Sequence, residues 1–231
     1  LNNRLIKMKK IFFWGGKAKA KIIQKMILNE ESKDVEISII YDPIIKELPF
    51  ESSSKFISSP NELKLALADI THFIMCNGGE HGYARYKIAN ELKKLGLKPV
   101  DVISPHAILD DIKQKGEGLQ AMPGAVVHKF STIGDQCIIN TNATVDHDCI
   151  IGNGVHVMGG ASIAGQVEVG DFSTIGTNAT VLPNIKIGKC SYIGAGAVVN
   201  KNVNDYEVVV GVPAKKIKKH KVSVDLSLFE L

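Results

Sequence analysis

Every sixth residue from Ala121 to Val199 is aliphatic: Ala121, Val127, Ile133, Ile139, Val145, Ile151, Val157, Ile163, Val169, Ile175, Val181, Ile187, Ile193 and Val199, thirteen of the fourteen being β-branched. A period of six keeps no fixed face of a 3.6-residue helix, and Val, Ile and Gly at this density are poor helix formers. Short flat strands joined by tight corners remain. Four positions after most of these residues stands a small one, among them Ala125, Ser131, Cys137, Ala143, Cys149, Ala161, Ser173, Ala179, Ser191 and Ala197, and glycine follows at Gly134, Gly152, Gly170, Gly176, Gly188 and Gly194. The β-branched side chains fill a narrow interior and the small ones permit the corners, so each hexapeptide is one side of a coil buried only by its neighbours. The run Ala121–Asn204 predicts a parallel β-helix of between four and five triangular coils, with no insertion.

The chain before this run reads differently. Lys10–Trp14 is a short apolar strand, Gly15-Gly16 a turn, and the residues to about Leu28 a helix with Ala18, Ile22, Ile23, Met26 and Ile27 on its apolar face. Val35–Tyr41 is a second strand ending at Asp42-Pro43, Asn61–Leu67 a helix, and His72–Cys76 a third strand running into Asn77-Gly78-Gly79. Tyr83–Leu95 is a helix stopped by Gly96, and Lys98–Ile103 a fourth strand. Strands alternating with helices predict a small Rossmann-like parallel sheet, since parallel strands need crossover connections. The expected organisation is an α/β domain over 1–104, the β-helix over 105–204 and a C-terminal cap over 205–231 that protects the open end of the solenoid.

Composition narrows the function classes. The net charge of +4 is concentrated in Lys7–Lys21 and Lys215–Lys221, too mild and local for a nucleic-acid surface without a reader motif. Cys76, Cys137, Cys149 and Cys190 form no C-x-x-C pair or metal spacing and are expected to be free thiols, with no metal. The apolar stretch Leu5–Trp14 is broken by Lys7, Lys9 and Lys10, so no membrane insertion is expected, and the protein is expected to be soluble and cytoplasmic.

The hexapeptide register, the segment Asn140-Thr141-Asn142-Ala143-Thr144-Val145-Asp146-His147-Asp148-Cys149 and the closing Gly211-Val212-Pro213-Ala214-Lys215 together resemble the left-handed β-helix acyltransferases. More narrowly, they resemble the sugar N- and O-acetyltransferases of the bacillosamine, perosamine and sialic-acid pathways. The resemblance implies an N-terminal domain for a nucleotide sugar, a β-helix for acetyl-coenzyme A as cosubstrate, and a homotrimer. Acetyl transfer needs a base for the proton of the attacking nucleophile, a task suited to histidine, whose reference pKa is near 6.5. The resemblance assigns that base to His147, the orienting carboxylate to Asp148, a contact to the donor near its thioester to His156, and a hydrogen bond to the amino sugar to Asn140. Asn140 and His156 also admit plain structural readings, as a corner residue and a hydrogen-bonded core histidine.

For the pantetheine arm, Gly165, Gly176, Thr177, Gly194 and Ala195 supply small corner residues; Gly159, Thr177 and Ala195 lie eighteen residues apart and form one vertical file. Lys201, Lys215 and Lys216 are candidates for its phosphates. Gly15, Gly16, Lys17, Asp42 and Asn77 are the candidates for the nucleotide sugar, at the carboxyl ends of parallel strands where ligands gather. The family turn reads Gly-x-Gly-Gly-His-Gly, whereas Gly15-Gly16-Lys17-Ala18-Lys19-Ala20 matches only its first glycine, with Lys17 or Lys19 available to compensate by charge. A plain turn and a turn-forming Asp42 stay open as alternatives. Cys149 occupies the packed small position of its hexapeptide, which argues against a thiol nucleophile and for direct transfer. The expected activity is acetyl-coenzyme A-dependent N-acetylation of a nucleotide-linked 4-amino-dideoxy sugar. O-acetylation of a sialic-acid-type sugar and a non-catalytic binding scaffold are the alternatives.

Overall fold

The computed structural model describes residues 9–29 and 35–229. Of the stretches Lys7–Lys21 and Leu5–Trp14, positions 5–8 lie outside the described residues. The chain forms two compact units: one holds the residues up to Asn77, Asn90–Val100 and the end from Leu228, and the other holds Gly78–Ala89 and Asp101–Ser227.

The first unit is a five-stranded parallel sheet. In chain order it runs β1 (Lys9–Trp14), α1 (Ala18–Asn29), β2 (Val35–Tyr41), β3 (Lys55–Ile57), α2 (Pro60–Ala66), β4 (His72–Met75), the part of α3 (Gly82–Lys94) from Asn90 onward, and β5 (Lys98–Pro99). The spatial order is β3-β2-β1-β4-β5. β1 is central, and its run Ile11-Phe12-Phe13 is buried, as a parallel strand covered on both faces requires. β3 escaped the sequence reading because it is a three-residue edge strand with no apolar period. The expected strand Lys98–Ile103 is in fact divided. Val100 N–H still donates to Phe73 O (3.0 Å), whereas Val102 N–H donates to Leu119 O (2.8 Å), so Val102–Ile103 opens the solenoid instead of ending the sheet.

The second unit is a left-handed parallel β-helix with three parallel sheets, each residue pairing with the one eighteen positions on. The ladder Val126, Thr144, Ser162, Thr180, Val198 is one example. The fourteen aliphatic positions point inward and none is more than 3 % exposed. The solenoid starts a full coil before Ala121, with Val102–Ile103, Ile108–Leu109 and Gln114–Lys115 as its first three strands, so it has more coils than the repeat alone predicted. Lys115 breaks the apolar period at the edge of its sheet, where its side chain is exposed to water. After Val199 the register contracts: Val203 bridges Ile187 and Val208 pairs with Tyr192, sixteen residues apart. Beyond it Lys215–Lys219 runs antiparallel to Glu207–Val210 and lines that edge with lysines, which discourage further strand addition.

Two of the three corner files show why the sequence turns where it does. After the sheet that contains Ile138–Ile139, the alanine N–H closes on the carbonyl three residues back, as from Ala143 to Asn140 (3.0 Å) and from Ala161 to Met158 (3.1 Å). At the corner before that sheet, Asp135 N–H donates to Asn153 Oδ1 (2.9 Å) and Asn153 N–H to Asp171 Oδ1 (2.7 Å), a side-chain ladder linking successive coils. Gly152 must be glycine there, since a Cβ would lie 2.5 Å from Asp171 Oδ1. Segment Gly78–Ala89 packs on this unit through Arg85, fully buried, whose Nε and Nη2 donate to Gln136 O and Gly154 O at 2.8 Å each. Tyr83 and Tyr86 pack on Phe172. No described helix is long and apolar enough to cross a membrane.

Candidate active site

His147 stands on the corner that follows strand Thr144–Val145, in the turn Asp146–Cys149. Asp148 adopts a left-handed backbone (φ 57°), a conformation that aspartate tolerates better than most residues. The corner brings the two side chains together: His147 Nδ1 lies 2.8 Å from Asp148 Oδ2, and Asp146 Oδ1 accepts the His147 backbone N–H at 2.7 Å. The hydrogen bond to Asp148 raises the imidazole pKa above its ordinary value, with the Asp146 charge adding to it. With Nδ1 donating to the carboxylate, Nε2 carries the free lone pair, and it has no hydrogen-bond partner among the described residues. The side chain is about half exposed. One coil on, Gly165 lies under the ring; a Cβ there would be 2.6 Å from Nε2. This is a solvent-facing imidazole with a fixed tautomer and two carboxylates to stabilise its protonated form.

His156 and Asn140 come together at another edge of the same solenoid. His156 is 3 % exposed, its Nδ1 donates to Gly79 O (2.8 Å) and its Nε2 accepts from Asn140 Nδ2 (3.2 Å). Asn140 Oδ1 in turn accepts the Thr141 N–H (2.9 Å). A ring committed in this way orients Asn140; it does not itself reach outward. Gly79 is a partner that sequence reading could not supply, because a backbone carbonyl carries no residue-type signal.

The small-residue file divides on inspection. Gly176 and Gly194 are buried, and side chains there would meet Ile193 O (2.5 Å) and Val210 Cγ1 (2.6 Å), so coil stacking demands glycine at both. Thr177 and Ala195 are exposed, and a Cβ at Gly159 would meet only Thr141 O at 3.4 Å. Gly159, Thr177 and Ala195 therefore form an open, shallow wall on which an extended amide-bearing arm can lie.

In the first unit Gly15, Gly16, Asp42 and Asn77 gather at the carboxyl ends of β1, β2 and β4. The turn donors are already used: Gly15 N–H bonds Tyr41 O (2.7 Å) and Gly16 N–H bonds Asp42 Oδ2 (2.9 Å). Asp42, 5 % exposed, accepts the Ile44 N–H with its other oxygen (2.9 Å), so it acts as a turn clasp. A Cβ at Gly15 (φ 106°) would meet the Cys76 carbonyl carbon at 3.2 Å. Lys17 is exposed at the first helical turn. Among the described residues no cluster of three or more His, Cys, Asp or Glu could hold a metal.

The bacterial transferase hexapeptide model (six repeats) matches residues 148–182 and 169–201. PerB from Caulobacter crescentus, in complex with CoA and GDP-perosamine, is 29% identical, covers 90% of this chain and 97% of its own, and superposes with a TM-score of 0.76. The acetyltransferase domain of PglB from Neisseria gonorrhoeae, in complex with acetyl coenzyme A, is 26% identical over 91% of this chain and 100% of its own, with a TM-score of 0.79. By its repeats and its overall fold the chain is similar to the hexapeptide-repeat acyltransferases. WeeI from Acinetobacter baumannii, at 24% identity over 91% of this chain and 100% of its own (TM-score 0.79), shares the fold. Within this acyltransferase, the matched repeats open at Asp148 and run through Gly165, Thr177 and Ala195, so the family signal covers the solenoid wall and begins beside His147.

Proposed function

We propose that this acyltransferase moves an acetyl group from acetyl-CoA directly to the amino group of a nucleotide-linked 4-amino-dideoxy sugar. The observation that carries the reading is the His147–Asp148 pair with a free, solvent-facing Nε2. The amine nitrogen attacks the thioester carbonyl while Nε2 takes the amine proton; the tetrahedral intermediate collapses with loss of the CoA thiolate, which recovers a proton from the imidazolium. Asp148 and Asp146 stabilise that imidazolium. The donor arm lies along Gly159, Thr177 and Ala195, with His156 holding Asn140 toward the acceptor. The CoA-bound relatives support the donor, and the GDP-perosamine complex of the Caulobacter relative supports the acceptor class.

An acyl-enzyme route through Cys149 has no support: the thiol is buried, its Sγ–H donates to Ala164 O (3.2 Å), and burial raises its pKa. The nucleotide is read by the Gly15–Lys17 edge through the Lys17 charge, since the glycine N–H groups are spent. Exposed Phe130, Ile150 and Leu182 around the His147 corner fit burial in a homotrimer. The decisive experiment incubates the purified protein with acetyl-CoA and UDP-, dTDP- and GDP-linked 4-amino-dideoxy sugars and follows thiol release. Release with one of them and a trimeric mass by light scattering are the expected results; no release with any of the three overturns the acceptor assignment.

A further inference from the structure

Two kinds of corner closure recur in the solenoid, and the Leu182–Ile185 corner, stacked on Val167, shows neither. Where the stacked small residues are alanines the closure is local, the N–H bonding the carbonyl three residues back, as from Ala161 to Met158 and from Ala179 to Gly176 (3.0 Å). At other corners a hydroxyl or thiol from the preceding coil engages that carbonyl. Ser173 Oγ donates to Gly188 O (2.7 Å) and accepts the Ser191 N–H (2.9 Å). The Cys149 thiol donates to Ala164 O at the corner that carries Gly165.

Ser131 does this at the corner that carries His147. Its hydroxyl, fully buried, donates to Asp146 O (2.8 Å) and accepts the Cys149 N–H (3.1 Å). A hydroxyl can do both at once. The two partners are the ends of the tetrapeptide Asp146–Cys149, and His147 and Asp148 are its middle. Without the hydroxyl, the buried Cys149 N–H needs another acceptor. The carbonyl within reach is Asp146 O, three residues back, the closure used at the alanine corners. A shift to that closure would turn the peptides bearing His147 and Asp148 and break the 2.8 Å alignment of Nδ1 with Oδ2.

We infer that Ser131 is a positioning residue: its buried hydroxyl holds the His147–Asp148 corner open in the geometry that presents Nε2. The inference rests on His147 as the base, yet the corner geometry can be read without turnover. The test is an NMR titration of His147 together with kcat, KM and thermal midpoint in three variants. Ser131→Ala should lower the His147 titration midpoint and reduce kcat about tenfold, the scale of a modest misplacement of a catalytic group, with KM for acetyl-CoA unchanged. Ser131→Cys, which replaces the hydroxyl with the weaker donor already used at Cys149, should fall between. Ser173→Ala removes the same kind of bridge from a corner without a His–Asp pair; it should lose a similar thermal midpoint and keep the His147 titration and kcat. An unmoved His147 midpoint in Ser131→Ala overturns the inference, and so does an equal loss of kcat in Ser173→Ala. If Ser131→Ala does not fold, Ser131→Cys decides: a wild-type midpoint overturns it and a lowered one supports it. If the wild type acetylates no amino sugar, the acetyltransferase reading falls while the titration still judges Ser131.

Discussion

Gly165→Ala isolates the placement of the base from the stability of the fold. The backbone at Gly165 has no positive φ, so alanine is not strained there, and the obstacle is the His147 ring. A Cβ would lie 2.6 Å from Nε2, 2.8 Å from Cε1 and 3.2 Å from Cδ2, against ordinary contact from 3.4 Å upward, so Nε2 must retreat by about 0.8 Å (3.4 minus 2.6). The ring is half exposed and can swing away, so the fold should survive with a thermal midpoint near that of wild type. Near-attack geometry is less forgiving: a displacement of roughly 1 Å can cost about 100-fold. The expected loss in kcat is therefore between about 10- and 100-fold, with KM for the donor little changed. The assay is thiol release at saturating acetyl-CoA and sugar nucleotide. Gly159→Ala, whose Cβ meets only Thr141 O at 3.4 Å, is the matched control for a methyl added to the donor wall. Turnover within twofold of wild type in Gly165→Ala, with the fold intact, would refute the placement of Nε2 as the reacting base.

Other expectations can be checked together. His147→Ala should lose at least about 100-fold in turnover at an unchanged thermal midpoint, the scale of general-base catalysis. Asp148→Asn removes the carboxylate charge from the hydrogen bond that raises the His147 pKa, so the acid limb of kcat/KM should move to lower pH. The same raised value contributes stability that is present below the unfolded pKa of about 6.5 and is lost as pH rises through the folded value, so Asp148→Asn should lower the thermal midpoint more at about pH 5–6 than at pH 9. Native protein should leave a thiol reagent unconsumed and yield four thiols in urea, since all four cysteines are buried and burial pushes the Cys137 thiol up to about 12. Acetyl-CoA should raise the thermal midpoint, and Ala195→Arg should abolish that rise by crowding the wall.

The period of six made the inward file legible because each β-branched side chain answers to one local demand, a narrow interior. Of the first coil, the bound expected at 105 took in Ile108–Leu109 and Gln114–Lys115 but not Val102–Ile103, and Lys115 kept that coil out of the run of six. The pair His147–Asp148 could be found because its geometry lies within two neighbouring residues. His156 could be named but its partner could not: Gly79 lies 77 residues away and contributes only a carbonyl. Asp42 stands at a strand end where a ligand or a turn could claim it, and its two oxygens serve the Gly16 and Ile44 amides. The contraction after Val199 was also hidden, because Val203 and Val208 stay aliphatic while the spacing shortens to sixteen.

The eighteen-residue ladder makes length an adjustable quantity in this molecule. Neighbours along a file, such as Asn153 and Asp171 or Ser162 and Thr180, meet residues of similar size and chemistry above and below. Excising or duplicating one coil beyond Gly165 would return almost every side chain to an equivalent environment, whereas a single-residue insertion would rotate the inward file onto a corner. Genetic change can therefore lengthen or shorten the open wall that carries Thr177 and Ala195 in steps of one coil, leaving the His147 turn behind it untouched.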